Sequence, residues 1–179
     1  NLTTIFNPKF NPVTIKKLSV ILIILLFAVE TAGMGIRWYI SEHAPWSNGY
    51  ESMIYISWTT VLAGLLFSRK SLGGLTATCI LAATVLLVAG MSWLDPEITP
   101  LVPVLKSYWL TIHVSLEAGS YGFLMLGAVI GMLNLLLISI SKKSNFSHIE
   151  KNIKELSVVS EITVTGGLIM VSVGTYLGG

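Results

Sequence analysis

The sequence predicts an all-α, polytopic integral membrane protein with about five transmembrane helices and a short inner amphipathic helix. Of its 179 residues, 53% are hydrophobic and 11% are charged, and the mean hydropathy is +0.77. The apolar residues also form long runs. Because a bilayer core needs roughly 20 apolar residues per helical span, the chain has room for about five or six spans and no sizeable soluble domain. This composition excludes a cytosolic enzyme.

The apolar runs follow a polar lead-in at residues 1–17 that contains prolines and lysines and is typical of a linker. Each run has the length of one membrane crossing and ends near charged residues, prolines or glycines. The predicted spans are residues 18–40, 50–67, 74–93, 108–140 and 157–178. Residues 18–179 therefore form one transmembrane domain.

A short amphipathic segment separates the last two spans. Within residues 145–156 the apolar residues recur at helical spacing, opposite Lys151, Lys154 and Glu155. This pattern predicts a short helix that lies on the inner membrane surface.

The basic residues predict the orientation of the chain. Arg37 and Lys106 fall on one side of the five-span arrangement, and the other nine Lys and Arg fall on the opposite side. Lys and Arg in short loops stay in the cytoplasm, so we expect a cytoplasmic N-terminus and outward loops at residues 38–49 and 93–107. The net charge of +2 is weak and dispersed, which argues against a nucleic-acid partner.

Several residues of the apolar spans and outward loops have a structural explanation. Trp38, Trp46, Trp93 and Trp109 are typical of an interfacial aromatic belt. Cys79 lies in an apolar run, where a buried thiol is expected, and a lone cysteine cannot form an internal disulfide.

His113 is the histidine most suited to a functional role. It lies about one turn into the outer end of the fourth span, and ionisable groups at membrane depth mark functional sites. A neutral imidazole is a common ligand of haem iron, and the neighbouring Trp and Tyr residues offer a bed for a porphyrin. Glu117, four residues later on the same helical face, could hydrogen-bond the other ring nitrogen. The alternative is a structural hydrogen bond from His113 to a neighbouring helix.

The other histidines differ in their surroundings. His43 lies in an outward loop, where it could assist a ligand site, whereas His148 lies among serine and lysine residues and is expected at the solvated surface.

The charged residues of the first two spans are expected to have structural roles. Glu30 and Arg37 are seven residues apart and two turns distant on one helical face, so a direct pair is not expected. Glu51 is expected to cap the second span, with a further capping oxygen from Ser47 or Asn48. The sequence contains no CxxC, HExxH, phosphate-binding glycine loop or Ser/His/Asp pattern, which removes the usual grounds for a hydrolase or kinase.

Three segments together resemble the CcsA (ResC) family, the haem-handling cytochrome c biogenesis proteins of the System II pathway. They read RWYISEHAPWSNGYESMIYISW, PLVPVLKSYWLTIHVSLEAGSYGFLMLGAVIGML and, at the end of the last span, GTYLGG. The most specific pieces are the N-x-YES motif at residues 48–52 and the segment at residues 100–114, which contains His113. The resemblance covers nearly the whole chain.

This resemblance implies that His113 is an outward-facing axial ligand of haem b. We expect the rest of the site to include Trp109, Glu117, Trp46 and His43. The family implies a component of a cytochrome c haem lyase or synthase in the plasma membrane, which is the inner membrane of bacteria. Its partners would be CcsB (ResB), separate or fused, and apocytochrome c, to which haem is presented for covalent attachment.

The family's tryptophan-rich WWD signature is expected to begin where Gly178 and Gly179 stand. We therefore expect this chain to be the incomplete N-terminal portion of a longer polypeptide. The second outward histidine would lie outside it, and the portion alone would be inactive.

Two other function classes remain open at this point. The first is a transporter or respiratory membrane subunit in which Glu30, Glu117 and His113 form a proton path. The second is a structural assembly subunit that binds no cofactor and tolerates the loss of His113.

Overall fold

The computed structural model describes residues 12–68, 71–91, 94–98, 107–140 and 146–178. Some residues used for the predicted orientation and aromatic belt lie outside these ranges, namely Lys9, Trp93, Lys106 and the basic pairs at 69–70 and 142–143. All regular secondary structure in the described ranges is helical, which confirms the all-α class. The helices are α1 (Pro12–Ser41), α2 (Gly49–Ala63), α3 (Leu72–Ala89), α4 (Tyr108–Ile140) and α5 (Phe146–Gly178).

Four of the described helices are long and apolar enough to cross a membrane. The qualifying segments are Lys16–Ser41, Leu72–Ala89, Tyr108–Ile140 and Ile149–Gly178. Helix α2 continues into one π-helical turn at Gly64–Ser68, and the two together correspond to the span predicted at residues 50–67. Large apolar side chains such as Leu25, Leu87 and Leu135 are exposed around the bundle, as expected for surfaces that contact lipid tails. The polytopic membrane architecture is therefore confirmed.

Helix α5 differs from the sequence-based expectation. Residues 146–156 do not form a separate amphipathic helix but are the first turns of α5. No glycine or proline interrupts residues 146–165. Leu156 is buried against Gly73 at the start of α3, so this segment belongs to the helical bundle.

Helix α4 is the centre of the bundle. Its Leu126 and Ile130 are fully buried and share one apolar core with Ile56 of α2, Leu81 of α3 and Val159 of α5. The most extensive helix contact joins α4 to α5.

Glycines allow α4 to approach its neighbours closely. A Cβ at Gly122 would lie 2.8 Å from the carbonyl oxygen of Ile56 in α2, and a Cβ at Gly127 would overlap Val164 in α5. Between helices in lipid there is no hydrophobic driving force. Small residues at such crossings stabilise the helix pair because close approach increases van der Waals contact.

Polar contacts set the register between α4 and α5. Asn134 donates from Nδ2 to the hydroxyl of Ser157 at 2.7 Å. The Ser160 hydroxyl donates to the Gly127 carbonyl at 2.8 Å. Because such bonds have few competitors inside a bilayer, they select one longitudinal alignment of the two helices.

One end of the bundle collects the functional candidates, and we call it the His113 end. It comprises the loop at residues 42–48, the segment at residues 94–98, the start of α4 and the end of α5. Arg37 connects α1 to this segment by donating from Nη2 to the Glu97 carbonyl at 3.2 Å, and Trp46 connects the loop to α4 by donating to the Thr111 carbonyl at 3.3 Å.

The prediction of a buried Cys79 is wrong. Its side chain is exposed on the apolar surface of α3, beside other exposed residues such as Ile80. An apolar run does not distinguish a core position from a lipid-facing one, because both favour a weakly polar thiol.

We predict that Gly127→Ala destabilises the bundle by about 1–3 kcal/mol, since the new methyl group must displace Val164 and the α5 backbone. Thermal unfolding in detergent measures the loss. Gly35→Ala is the matched control, because nothing lies within 4 Å of a Cβ at that position. Equal melting temperatures for the two variants would contradict close α4–α5 packing at Gly127.

Candidate functional site

The N-x-YES motif builds a corner between α1 and α2 at the His113 end. Asn48 is the N-cap of α2 and accepts a hydrogen bond from the Glu51 backbone N–H at 2.8 Å. Glu51 also accepts from the Ser47 backbone N–H through Oε2 at 2.9 Å. The expected capping roles of Asn48 and Glu51 are confirmed, and they follow from the free N–H groups in the first turn of a helix.

Glu51 also forms an ion pair that the sequence did not reveal. Its Oε1 accepts from Arg37 Nε at 2.7 Å, and its side chain is fully buried. Arg37 lies 5.2 Å above the Tyr50 ring, and the Ser52 hydroxyl donates to the Trp46 carbonyl at 3.3 Å. A buried carboxylate is tolerated only when it is paired and hydrogen-bonded, and this corner provides both.

Trp46 connects this corner to the helix that carries His113. Besides its bond to Thr111, its ring lies 4.7 Å from the Tyr55 ring and 5.7 Å from the Trp38 ring. It borders a cavity of about 80 Å³ with Ser47, Leu110, Thr111 and Val114. Thr111 and Val114 occupy a different face of the helix from His113, and Leu110 borders the His113 face. Trp46 therefore supports α4 from the side.

The His113 ring is held by the end of α5. Its Nδ1 lies 2.7 Å from the carbonyl oxygen of Gly174, 61 residues later in the chain. Because a carbonyl only accepts, Nδ1 carries the hydrogen, and in the neutral ring Nε2 keeps its lone pair. Gly178 lies close against the ring, since a Cβ at that position would overlap the imidazole. The Nε2 lone pair is then the ring position that could accept a hydrogen bond or bind a metal ion.

The structure gives Glu117 a different partner from the one expected. Its Oε1 accepts from the Thr175 hydroxyl at 2.7 Å, whereas the His113 N–H bonds to Gly174. The proposed Glu117–His113 hydrogen bond is therefore replaced by two parallel contacts to adjacent residues of α5. Residues four apart can interact within one helix, but here the neighbouring helix offers both side chains a partner.

The remaining predicted site residues lie at the same end of the bundle. Trp109 is 62% exposed and shares the helical face of His113, with its ring 6.3 Å from that of Tyr108. His43 lies in the loop after α1, with Nδ1 3.2 Å from the Ala44 carbonyl oxygen. The structure thus groups Trp109, His113 and Glu117 on one face, while Trp46 and His43 belong to the adjoining loop.

Glu30 shares a cavity with the Arg37–Glu51 corner. It lines a cavity of about 480 Å³ between α1, α2 and α3, together with Arg37. Its Oε1 is buried and finds no hydrogen-bond partner in the part of the chain that is described. His113 and Glu117 bond to α5, and within the described residues no hydrogen bond joins them to Glu30. Among the described residues, no group of three or more His, Cys, Asp or Glu could hold a metal ion.

Comparison with known proteins places these features in a family. The cytochrome c assembly protein family matches residues 46–179, a segment that contains Trp46, the N-x-YES motif and His113. The chain belongs to this family. Arg37, which pairs with Glu51, precedes the matched segment.

Individual relatives agree with this assignment. Protein NrfI of Wolinella succinogenes is 47% identical over 155 residues, which are 87% of this chain and 17% of NrfI. The cytochrome c biogenesis protein CcsA of Prochlorococcus marinus (strain MIT 9303) is 37% identical over 63% of this chain and 36% of its own length. CcsA of Chlamydomonas reinhardtii is 30% identical over 80% of this chain and 42% of its own length. The chain thus spans less than half the length of these relatives.

We predict that Arg37→Met destabilises the protein by about 3 kcal/mol or more, because it leaves the buried Glu51 carboxylate without its cation. Thermal or denaturant unfolding in detergent tests this. Glu150→Gln serves as the control, since it breaks the exposed Lys154–Glu150 pair, which contributes less than about 0.5 kcal/mol. A loss as small as the control's would contradict the structural role of the Arg37–Glu51 pair.

Proposed function

We propose that this chain is the haem-binding portion of a cytochrome c assembly protein, in which His113 Nε2 ligates haem iron. The observation that carries this proposal is the hydrogen bond from His113 Nδ1 to the Gly174 carbonyl. Histidines that bind metals commonly donate their second N–H to a carbonyl or carboxylate, which selects the tautomer and makes the ligand nitrogen more basic.

The surroundings of His113 fit a porphyrin. Haem iron needs only one protein nitrogen on each face, so a single histidine suffices on this side of the ring. Gly178 presents no side chain against the imidazole, and the exposed Trp109 lies one turn away on the same helical face. An exposed aromatic ring beside the ligand favours stacking with a flat apolar macrocycle.

In this arrangement the chain presents bound haem as a substrate to apocytochrome c. In haem attachment, each cysteine thiol of a CxxCH motif in apocytochrome c adds its S–H across the C=C bond of a haem vinyl group, which gives a thioether. The cysteine of this chain, Cys79, lies in α3 and is exposed on its apolar surface, so the reacting thiols belong to the apocytochrome. The role of His113 is to hold the iron while the vinyl edges remain accessible, and such positioning alone accelerates a bimolecular step.

The distribution of basic residues supports an orientation for the chain. We infer that the His113 end faces outward and that the N-terminus is cytoplasmic, because Arg37 lies at that end while Lys151 and Lys154 lie near the start of α5. We further infer that the substrate is haem b, that the membrane is the bacterial plasma membrane, and that residues 18–179 form part of a larger haem-handling domain. The CcsB (ResB) partner, separate or fused, completes the machinery, and a second axial ligand comes from outside this chain.

We predict that His113→Gly abolishes or shifts the visible bands of co-purified haem, and that added imidazole restores them. The polypeptide is purified at native length, with its CcsB portion, in detergent. His148→Gly is the matched control, since His148 lies in the first turn of α5, far along the helix from Gly174.

Restoration by imidazole establishes ligation, because the free base fills the space that the lost side chain vacated. Unchanged haem content and spectrum in His113→Gly would remove His113 from the site. Absence of haem in the parent protein would overturn the haem-binding function itself and favour a transporter or a structural subunit.

We predict that Gly178→Ala lowers haem retention by tenfold or so, because the new methyl group displaces the imidazole from its place against α5. Haem content per purified protein and the position of the Soret band measure the effect. Gly35→Ala, which meets nothing within 4 Å, should retain haem as the parent does. Equal retention in the two variants would contradict the packing of the ring on Gly178.

A further inference from the structure

We propose that Thr175 and Glu117 are positioning residues for His113. Their hydrogen bond holds the last turn of α5 in the register at which the Gly174 carbonyl accepts the His113 N–H. The proposal rests on the proposed haem-binding function and adds to it the device that orients the ligand.

The contact itself is direct. The Thr175 hydroxyl lies 2.7 Å from Glu117 Oε1 and 2.8 Å from the Val171 carbonyl oxygen one turn earlier. Its single proton serves these two acceptors, one in α4 and one in α5. Thr175 thus connects the two helices and its own helical backbone at the same point.

The adjacent peptide unit transmits this contact to the imidazole. The Gly174 carbonyl carbon is bonded to the Thr175 nitrogen, so the acceptor of the His113 hydrogen bond and the Thr175 side chain move together. The approach is also close at this point, because a Cβ at Gly174 would lie 3.1 Å from Glu117 Oε1 and 3.1 Å from Leu116 Cβ. A shift of α5 by a fraction of an ångström therefore changes both hydrogen bonds.

The Thr175–Glu117 bond is a side-chain contact between α4 and α5 directly beside the Gly174 carbonyl. Without this bond, we expect α5 to shift relative to α4 at this point, the His113 N–H bond to weaken, and the imidazole to rotate.

The test uses the native-length polypeptide with its CcsB portion and replaces Thr175 by valine, which keeps the volume and removes the hydroxyl. The first readout is the concentration of added imidazole that displaces His113 from ferric haem. The second is the set of electron paramagnetic resonance g values, which depend on the orientation of the axial imidazole. The third is amide hydrogen exchange of residues 174–178 in haem-free protein.

In Thr175→Val, we expect added imidazole to displace His113 from haem at a concentration about tenfold lower than in the parent, in line with the loss of a residue that orients a metal ligand. We also expect shifted g values and faster amide hydrogen exchange at residues 174–178. Thr175→Ser should restore all three readouts, because serine retains the hydroxyl. Thr84→Val is the matched control, since the Thr84 hydroxyl bonds to the Ile80 carbonyl of its own helix.

Variants of Glu117 extend the test to the other half of the contact. Glu117→Gln keeps an oxygen acceptor and should resemble the parent, whereas Glu117→Ala should resemble Thr175→Val. The double variant Glu117→Ala/Thr175→Val should release His113 at the same imidazole concentration as either single variant, because both substitutions remove the same hydrogen bond.

Parent-like displacement and g values in Thr175→Val would overturn the positioning role, including the case in which only hydrogen exchange is faster. That outcome is distinct from failure of the proposed function, in which His113→Gly itself leaves the haem spectrum unchanged.

Discussion

Helix contacts inside a bilayer cannot rely on the hydrophobic effect, because lipid tails are as apolar as the side chains they would replace. The α4–α5 pair therefore depends on close backbone approach and interhelical hydrogen bonds. Gly127 permits the approach in the middle of the pair, and Gly174 and Gly178 permit it at the end. The polar contacts from Asn134–Ser157 to His113–Gly174 align the helices along their length. The place of His113 follows from this alignment.

The same contacts give His113 its chemistry. An isolated imidazole at membrane depth has two tautomers and free rotation, whereas the Gly174 carbonyl accepts only from a protonated Nδ1. Glu117, which is close enough in sequence to compete for the ring, is occupied by Thr175. Because the histidine and the carboxylate have separate partners, the Nε2 lone pair of the neutral ring is not used by Glu117 or by the Gly174 carbonyl, and the haem-binding proposal rests on this arrangement.

A second set of contacts connects α4 to the corner between α1 and α2. The buried Arg37–Glu51 pair joins α1 to α2, and the Asn48 cap orders the first turn of α2. Trp46 then extends from this corner to the Thr111 backbone in the first turns of α4. The N-x-YES motif thus has a structural explanation, and the loop at residues 42–48 connects it to the helix of the candidate site.

The sequence by itself determined the helical class, the polytopic membrane architecture and the capping of α2, and it singled out His113 as the candidate residue, because these depend on local composition and on spacing within one helix. It did not determine that residues 146–156 continue into α5, that Cys79 faces outward or that Arg37 pairs with Glu51. The Gly174 partner of His113 lies 61 residues away, and only helix packing brings it within 2.7 Å. Hydropathy predicts that a residue is removed from water. Whether that residue contacts lipid or another helix depends on how the helices pack.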